Sequence, residues 1–273
     1  MAMTVHPTAL VEEGASLAEG VEIGPWCMVG ANAVLHVGVR LLSHVVIRGY
    51  TEIGARTVVH AHAVLGGEAQ MHKANPADMR LRLGADNIVR EGVTMSTGSA
   101  AGRGITQVGD HGYFMAGCHV AHDCIVGDHV TFSNGVQLGG HVQVGDGVIM
   151  GGLSAIQQFG RIGRHAFVSG VTGVVADVIP YGSVVGTHAR LFGLNLVGLR
   201  RRGIPRPNIH ALRAAYRMIF QTGEGTIHEN ARRAEELWPE VPEVRDVISF
   251  ILADSKRPIC PARGRHGNSK ENR

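Results

Sequence analysis

Aliphatic residues recur at every sixth position from the start of the chain, at Val5, Val11, Leu17, Ile23, Val29, Leu35, Leu41, Ile47, Ile53, Val59 and Leu65. Four residues after each of them stands, in most hexads, a small or β-branched residue, among them Ala15, Cys27, Ala33, Thr51 and Ala63. A period of six fits neither an α-helix, with about 3.6 residues per turn, nor a strand whose side chains alternate. It fits a parallel β-helix, in which one hexad makes one flat side and three hexads close a triangular coil. The aliphatic side chain then points into the prism and the small one sits near a corner. Glycines such as Gly24, Gly30 and Gly54 follow the aliphatic position and are expected where the chain adopts unusual backbone angles.

The ladder breaks twice. It resumes in phase at Leu83, Val89 and Met95, so Gly66–Arg82, with His72, Lys73, Asn75 and Pro76, replaces hexads with a polar excursion. Such a segment is either a tolerated surface loop or part of a site. A second break over Ser96–Gln107, rich in glycine, serine and threonine, shifts the phase by one residue, after which the rhythm runs unbroken from Val108 to Val174. Pro180 is expected to end the prism. Beyond it, Ile209, Leu212, Tyr216, Ile219 and Phe220 follow helical spacing, Thr226 with Glu229 forms a capping box for a second helix, and Val244, Val247, Ile248 and Ile251 mark a third. The expected organisation is a mainly β prism over residues 1–182, a small helical domain over 183–257, and a largely disordered tail over 258–273.

A charged fraction of 18% in 273 residues is that of a folding chain, and 5% aromatics with 38 glycines suit narrow, repetitive packing. Net charge is only +3, but Arg200, Arg201, Arg202, Arg206, Arg213 and Arg217 crowd one stretch. That points to a local anion site, or a solvated basic face, and not to general nucleic-acid affinity. Cys27, Cys118, Cys124 and Cys260 form no CxxC pair and read as buried, reduced packing residues. No stretch is apolar for the ~20 residues of a membrane span, and the start lacks a basic, then apolar, leader pattern, so a cytoplasmic location is expected. Neither a Gly-x-Ser-x-Gly elbow, a P-loop nor a dinucleotide fingerprint is present, which leaves a serine nucleophile or ATP hydrolysis without support.

Polar chemistry enters the repeat at Met115–Cys124, Met-Ala-Gly-Cys-His-Val-Ala-His-Asp-Cys. Eighteen residues per coil stack Asp123 on His141 and His122 on Gly140, with Gln158 beyond, one strand spacing (~4.8 Å) apart. His122 can take a proton near neutral pH, and Asp123 can orient it if the two meet at a corner; adjacent strand residues would point apart. Alternatively both are solvated corner residues, or His119, His122 and His141 ligate zinc, although their spacing matches no zinc signature. A flat prism face has no cavity of its own, so a deep pocket requires a second subunit, and homotrimers with sites between subunits follow.

The early Val-His-Pro-Thr-Ala-Leu-Val-Glu-Glu-Gly-Ala (5–15), His-Val-Ala-His-Asp-Cys (119–124), Gly-Gly-His-Val (139–142), Gln-Gln-Phe (157–159) and Gly-Leu-Asn-Leu-Val-Gly-Leu-Arg-Arg-Arg-Gly (193–203) together resemble the acyl-carrier-protein-dependent UDP-N-acetylglucosamine O-acyltransferases that begin lipid A synthesis. The resemblance runs to about Ile259. It implies a left-handed parallel β-helix homotrimer that moves a 3-hydroxyacyl group from acyl carrier protein to the glucosamine 3-hydroxyl of the UDP-sugar, with no bound cofactor or metal, the acyl-phosphopantetheine being carried by the carrier protein. By the same resemblance His122 is the general base, Asp123 orients it and the Gly140 N–H stabilises the oxyanion. Lys73, His119, His141 and Gln158 contact substrate, Asn195 lies at the nucleotide, Arg201 and Arg202 meet phosphates, and Gly170 leaves room for a medium-to-long acyl chain. Met71, Gln157 and Val197 stand where the family usually has an aspartate, a histidine and a glutamate. These departures touch the recognition shell and leave open a 3-amino UDP-sugar acceptor, giving an amide. Another UDP-sugar N-acyltransferase on the same prism, or a catalytically dead scaffold for the carrier protein, are the remaining readings.

Overall fold

The computed structural model describes residues 2–72 and 78–263. The chain coils into a left-handed parallel β-helix whose three sheets hold 11, 9 and 8 short strands. The register is the one the hexads dictate: Thr4 pairs with Glu22 and Val5 with Ile23, eighteen residues on. Each coil donates backbone N–H groups to the carbonyls of the next, as in Leu10 N to Cys27 O at 2.8 Å and Glu22 N to Val39 O at 2.9 Å, so the backbone needs few side-chain partners. The aliphatic column from Ile23 to Val174 and the small-residue column through Cys27, Ala33, Thr51 and Ala63 are buried. In the first coil, Val5 of the same column is 40% exposed. Phe114 and Phe132 meet edge to face at 5.2 Å inside the prism, where most coils use smaller side chains. All four cysteines are buried free thiols.

The glycines after the aliphatic position serve a purpose other than the expected one. Gly24 and Gly54 do not have left-handed angles; a Cβ at Gly24 would lie 1.5 Å from the Leu42 carbonyl oxygen, and one at Gly54 would lie 2.4 Å from the Gly84 carbonyl carbon. They are glycines because stacked coils approach too closely there for any side chain. The left-handed residues sit one position before the next small-residue slot and include many that are not glycine, such as Asp123 (φ 61°), His141 (φ 60°) and Phe159 (φ 66°). Asp and His tolerate this region better than most residues, and a single such angle costs about 1–2 kcal/mol, which stacking down the corner column helps to offset.

The two breaks lengthen single coils. Val58 pairs with Ile88, thirty residues on, and Ile88 with Tyr113, twenty-five on. Lys73 lies in the first of these segments and outside the described residues. The second loop is anchored by Thr97 N to Gly67 O (2.8 Å) and Gly98 N to Arg80 O (3.0 Å) and folds over a corner of the next coil.

Pro180 does not close the prism. Gly182–Val185 adds a parallel strand beside Phe167–Val168 and then turns back as an antiparallel hairpin with Arg190–Leu194, so sheet structure continues past residue 182. A short helix α1 (Leu196–Arg201) follows, which the sequence pattern did not reveal. Then come α2 (Arg206–Gln221), α3 (Ile227–Leu237) and α4 (Pro242–Leu252), at the expected places, with the Thr226–Glu229 capping box formed. The expectation of a disordered tail from Pro258 fails for its first residues: Ile259 bridges to Asp177, Ala262 bridges to Leu191, and Cys260 is fully buried. These residues take their order from the prism they pack on, which no local pattern in the segment records. Among the described residues no helix is long and apolar enough to cross a membrane.

Candidate active site

His122 and Asp123 meet because the chain turns a corner between them. The left-handed angle of Asp123 swings its carboxylate back under the preceding residue, and His122 Nδ1 lies 2.8 Å from Asp123 Oδ2. Both are buried, His122 retaining 8% exposure. Burial pushes the Asp123 carboxyl upward, but hydrogen bonds from Ser99, His122 and the Arg103 N–H more than offset it, and the group stays below its ordinary range. An ionised carboxylate only accepts, so Nδ1 carries a proton, and the tautomer that loses a proton does so at Nε2, leaving its lone pair there. That is the form a general base requires.

The column above His122 is as the period predicts. Gly140 lies directly over the imidazole: a Cβ there would fall 2.5 Å from Cε1 and 2.6 Å from Nε2, so any larger residue would strike the ring. No acceptor meets the Gly140 N–H among the described residues. His141, at the corner above Asp123, places Nε2 3.7 Å from Asp123 Oδ2, and its ring stacks on Phe159 at 4.6 Å. Gln158, next in the His122 column, is exposed, and its backbone oxygen accepts from Arg257. His119 sits one strand earlier on the same side, its Nδ1 2.7 Å from Thr94 Oγ1. Burial, and then the neighbouring His122, lower the basicity of His119; burial likewise lowers that of His141, against the pull of Asp123.

The sequence reading missed the groups that hold Asp123. Ser99 Oγ donates to Oδ2 at 2.5 Å, Ser99 N and Arg103 N donate to Oδ1 at 3.1 and 2.8 Å, and Asp123 N donates to Thr106 Oγ1 at 2.8 Å. All come from the second break in the repeat, where the loss of phase hid which residue faces which. The only signal was the loop's wealth of small, hydrogen-bonding residues.

Asn195, Arg201 and Arg202 gather elsewhere, lining a cavity of ≈ 640 Å³ with Val197, Ile149 and Phe167 against the first sheet. Asn195 caps α1, accepting from Gly198 N at 2.9 Å, and donates to the His165 carbonyl at 3.1 Å. Arg202 donates to the Gly147 carbonyl at 2.9 Å, and burial lowers its pKa. Gly170 lies at the corner between the first and second sheets, beside the exposed Leu153 and Val171. A second cavity of ≈ 580 Å³ lies on the third face, beside Asp123, His141, Phe159, Arg103 and Lys256; His122 is not among its walls. One subunit therefore brings His119, His122, Asp123, Gly140 and His141 together but leaves the arginine junction on a different face.

Among the described residues, His122, Asp123 and His141 also offer ligand atoms within 4.8 Å of one another; a cation there would compete with the hydrogen bond that pairs the imidazole and carboxylate. The zinc set weighed from the sequence had His119 in place of Asp123.

The hexapeptide-repeat prism, taken with the relatives that follow, defines the class: an acyltransferase of the left-handed β-helix type. The family model for UDP-N-acetylglucosamine O-acyltransferase, domain 2, matches residues 177–260. The chain is 52% identical over 260 residues (94% of this chain, 98% of the relative) to the acyl-(acyl-carrier-protein)–UDP-N-acetylglucosamine O-acyltransferase of Caulobacter vibrioides. It is 48% identical over 264 residues (96% and 97%) to that of Rhizobium johnstonii. The crystal structure of the UDP-N-acetylglucosamine O-acyltransferase of Moraxella catarrhalis superposes with a TM-score of 0.89 at 35% identity, covering 93% of this chain and 98% of that one. The chain belongs to the acyl-(acyl-carrier-protein)–UDP-N-acetylglucosamine O-acyltransferase family.

Proposed function

We propose that this chain performs its family's reaction, acyl transfer from acyl carrier protein to an oxygen of UDP-N-acetylglucosamine in the first step of lipid A synthesis, with His122 as the general base. The observation that carries the mechanism is the buried 2.8 Å contact of His122 Nδ1 with Asp123, which fixes the tautomer that leaves Nε2 free. Nε2 takes the proton of the sugar 3-hydroxyl as its oxygen attacks the thioester carbonyl of the 3-hydroxyacyl-phosphopantetheine. The Gly140 N–H meets the oxyanion, a kind of donor worth about 3 kcal/mol. Collapse of the intermediate breaks the C–S bond, and the imidazolium returns its proton to the departing thiolate, leaving an ester and free carrier thiol. Asp123 stays ionised throughout and offsets the charge that His122 carries between the two transfers.

His119, His141, Gln158 and Lys73 contact substrate, Asn195 lies at the nucleotide, and Arg201 and Arg202 meet phosphates of the nucleotide or of the phosphopantetheine. Because the arginine junction and the histidine corner lie on different faces of one prism, a substrate touching both requires a second copy, which supports a homotrimer with sites between subunits. Neither chemical step requires a metal or cofactor, and the reading places the enzyme in the cytoplasm. The direct test offers purified protein a mixture of hydroxyacyl carrier proteins with UDP-N-acetylglucosamine and its 3-amino analogue, and identifies products by mass spectrometry. An ester is expected; an amide alone would transfer the mechanism to the amino sugar and make Met71, Gln157 and Val197 the candidates for the change.

Gly170 lies 48 residues from His122, between two and three coils of eighteen, about 13 Å along the axis at ~4.8 Å per coil and across the second face. Leu153 and Val171, 70% and 65% exposed, stand at the Gly170 end of this path. This suits an extended acyl chain whose far end passes Gly170. Gly170→Met is expected to shift the preferred substrate to a shorter chain by several carbons without reducing turnover of that shorter substrate; an unchanged chain-length profile would remove Gly170 from this role.

A further inference from the structure

The Asp123 carboxylate is seated by a loop that the hexad pattern does not require. Ser99–Gly104 leaves the coil, turns tightly with Gly102 N and Gly104 N both donating to the Ser99 carbonyl at 3.1 Å, and arches over the corner of the next coil. From there Ser99 Oγ holds Oδ2, the oxygen that also meets His122, and the Ser99 and Arg103 N–H groups hold Oδ1. Thr106 Oγ1 fixes the backbone of Asp123 itself. Ser99 and Thr106 are fully buried, so these bonds are not traded with water. Gly102 is a glycine for lack of space: a Cβ there would lie 2.4 Å from Asp123 Cγ and no more than 2.5 Å from either carboxylate oxygen. Its φ is not left-handed, so alanine carries no backbone penalty there, and the atoms nearest its Cβ are those of the carboxylate.

We infer that the Ser99–Gly104 loop is the positioning element of the general base, Ser99 and Gly102 setting the place of the Asp123 carboxylate and through it the orientation of His122. The inference rests on the reading of His122 as base. A buried carboxylate with both oxygens held by protein donors cannot rotate, so it presents Oδ2 to Nδ1 in one geometry. The family's working pair is thereby tied to a stretch that looks like an irregularity in the repeat.

The test measures kcat, and KM for both acyl carrier protein and UDP-N-acetylglucosamine, for Gly102→Ala and Ser99→Ala in the wild-type and Asp123→Ala backgrounds, with thermal unfolding alongside. Gly102→Ala is expected to lower kcat by about 10–100-fold, the scale of a misplacement of about 1 Å, and Ser99→Ala by about tenfold, with both KM values held within about twofold. In the Asp123→Ala background neither change lowers kcat further, because the group they position is gone. A loss that persists in full in that background, or wild-type kcat in both single variants, overturns the inference while His122→Ala and Asp123→Ala remain impaired. Full activity of His122→Ala or Asp123→Ala would instead overturn the reading beneath it. Should Gly102→Ala fail to fold, Ser99→Ala, which adds no atoms, gives the same decision.

Discussion

His122→Ala lowers kcat by about 10²–10⁴-fold, the span that a positioned general base contributes. The variant is expected to fold, because the imidazole packs beneath Gly140 at a corner of the prism, outside the aliphatic column of the core. KM for UDP-N-acetylglucosamine changes by less than about threefold if His122 acts mainly in the transition state. His122→Gln, polar and similar in reach but with no basic nitrogen, stays as low as alanine, which separates proton transfer from hydrogen bonding. Refolding a mixture of His122→Ala with Arg202→Ala chains supplies the further control. If each site takes its base from one subunit and its arginine from another, mixed oligomers regain part of the activity that either variant lacks alone. Wild-type turnover by His122→Ala would end the assignment of the base, and failure of every mixture to recover would place both residues in one subunit's site.

Asp177→Ala destabilises the protein by about 3–5 kcal/mol, the usual cost of removing one partner from a buried ion pair. Asp177 is fully buried at the end of the prism, where Oδ2 accepts from Arg161 Nε at 2.7 Å and Ser255 Oγ at 2.5 Å, and Oδ1 accepts from Arg161 N at 2.9 Å. Its backbone carbonyl accepts from Cys260 N at 2.7 Å. One residue therefore ties the last coil to the segment after α4. Arg161, mostly buried itself, keeps the Phe250 ring at 4.4 Å and the Phe250 carbonyl at 3.2 Å, which do not neutralise its charge. The melting temperature is expected to fall by about 10 °C, and hydrogen exchange to rise first over residues 254–263. Asp177→Asn, which keeps one acceptor but no charge, falls between. An unchanged exchange rate in 254–263 would show that this segment is held by its packing alone.

These two sites also show how far the sequence could be read. The stack of His122 on Gly140 and Asp123 on His141 was legible because a six-residue period allows only one neighbour eighteen residues away, and pairings such as Gln137 with Ala155 confirm that spacing on the same sheet. Whether His122 and Asp123 touch was not legible, since it depends on one left-handed angle. Gly24 and Gly54 were recognised as special for the wrong reason: a repeat shows where glycine is needed but not whether backbone angle or crowding needs it. The capping box and the amphipathic spacing located α2, α3 and α4, while α1 was too short to show a period.

Local and periodic information is what a sequence carries without its fold, and here it determined the prism, the stacking of Gly140 on His122 and of His141 on Asp123, and the three longer helices, because each follows from spacings of at most eighteen residues. The tertiary structure alone decided what crosses a break in phase or a long gap: Ser99 and Arg103 on Asp123, Ser255 on Asp177, Ile259 beside the last coil, and the placement of Arg202 on another face from His122. Those contacts depend on where loops of irregular length return the chain, and no period records the path of a loop.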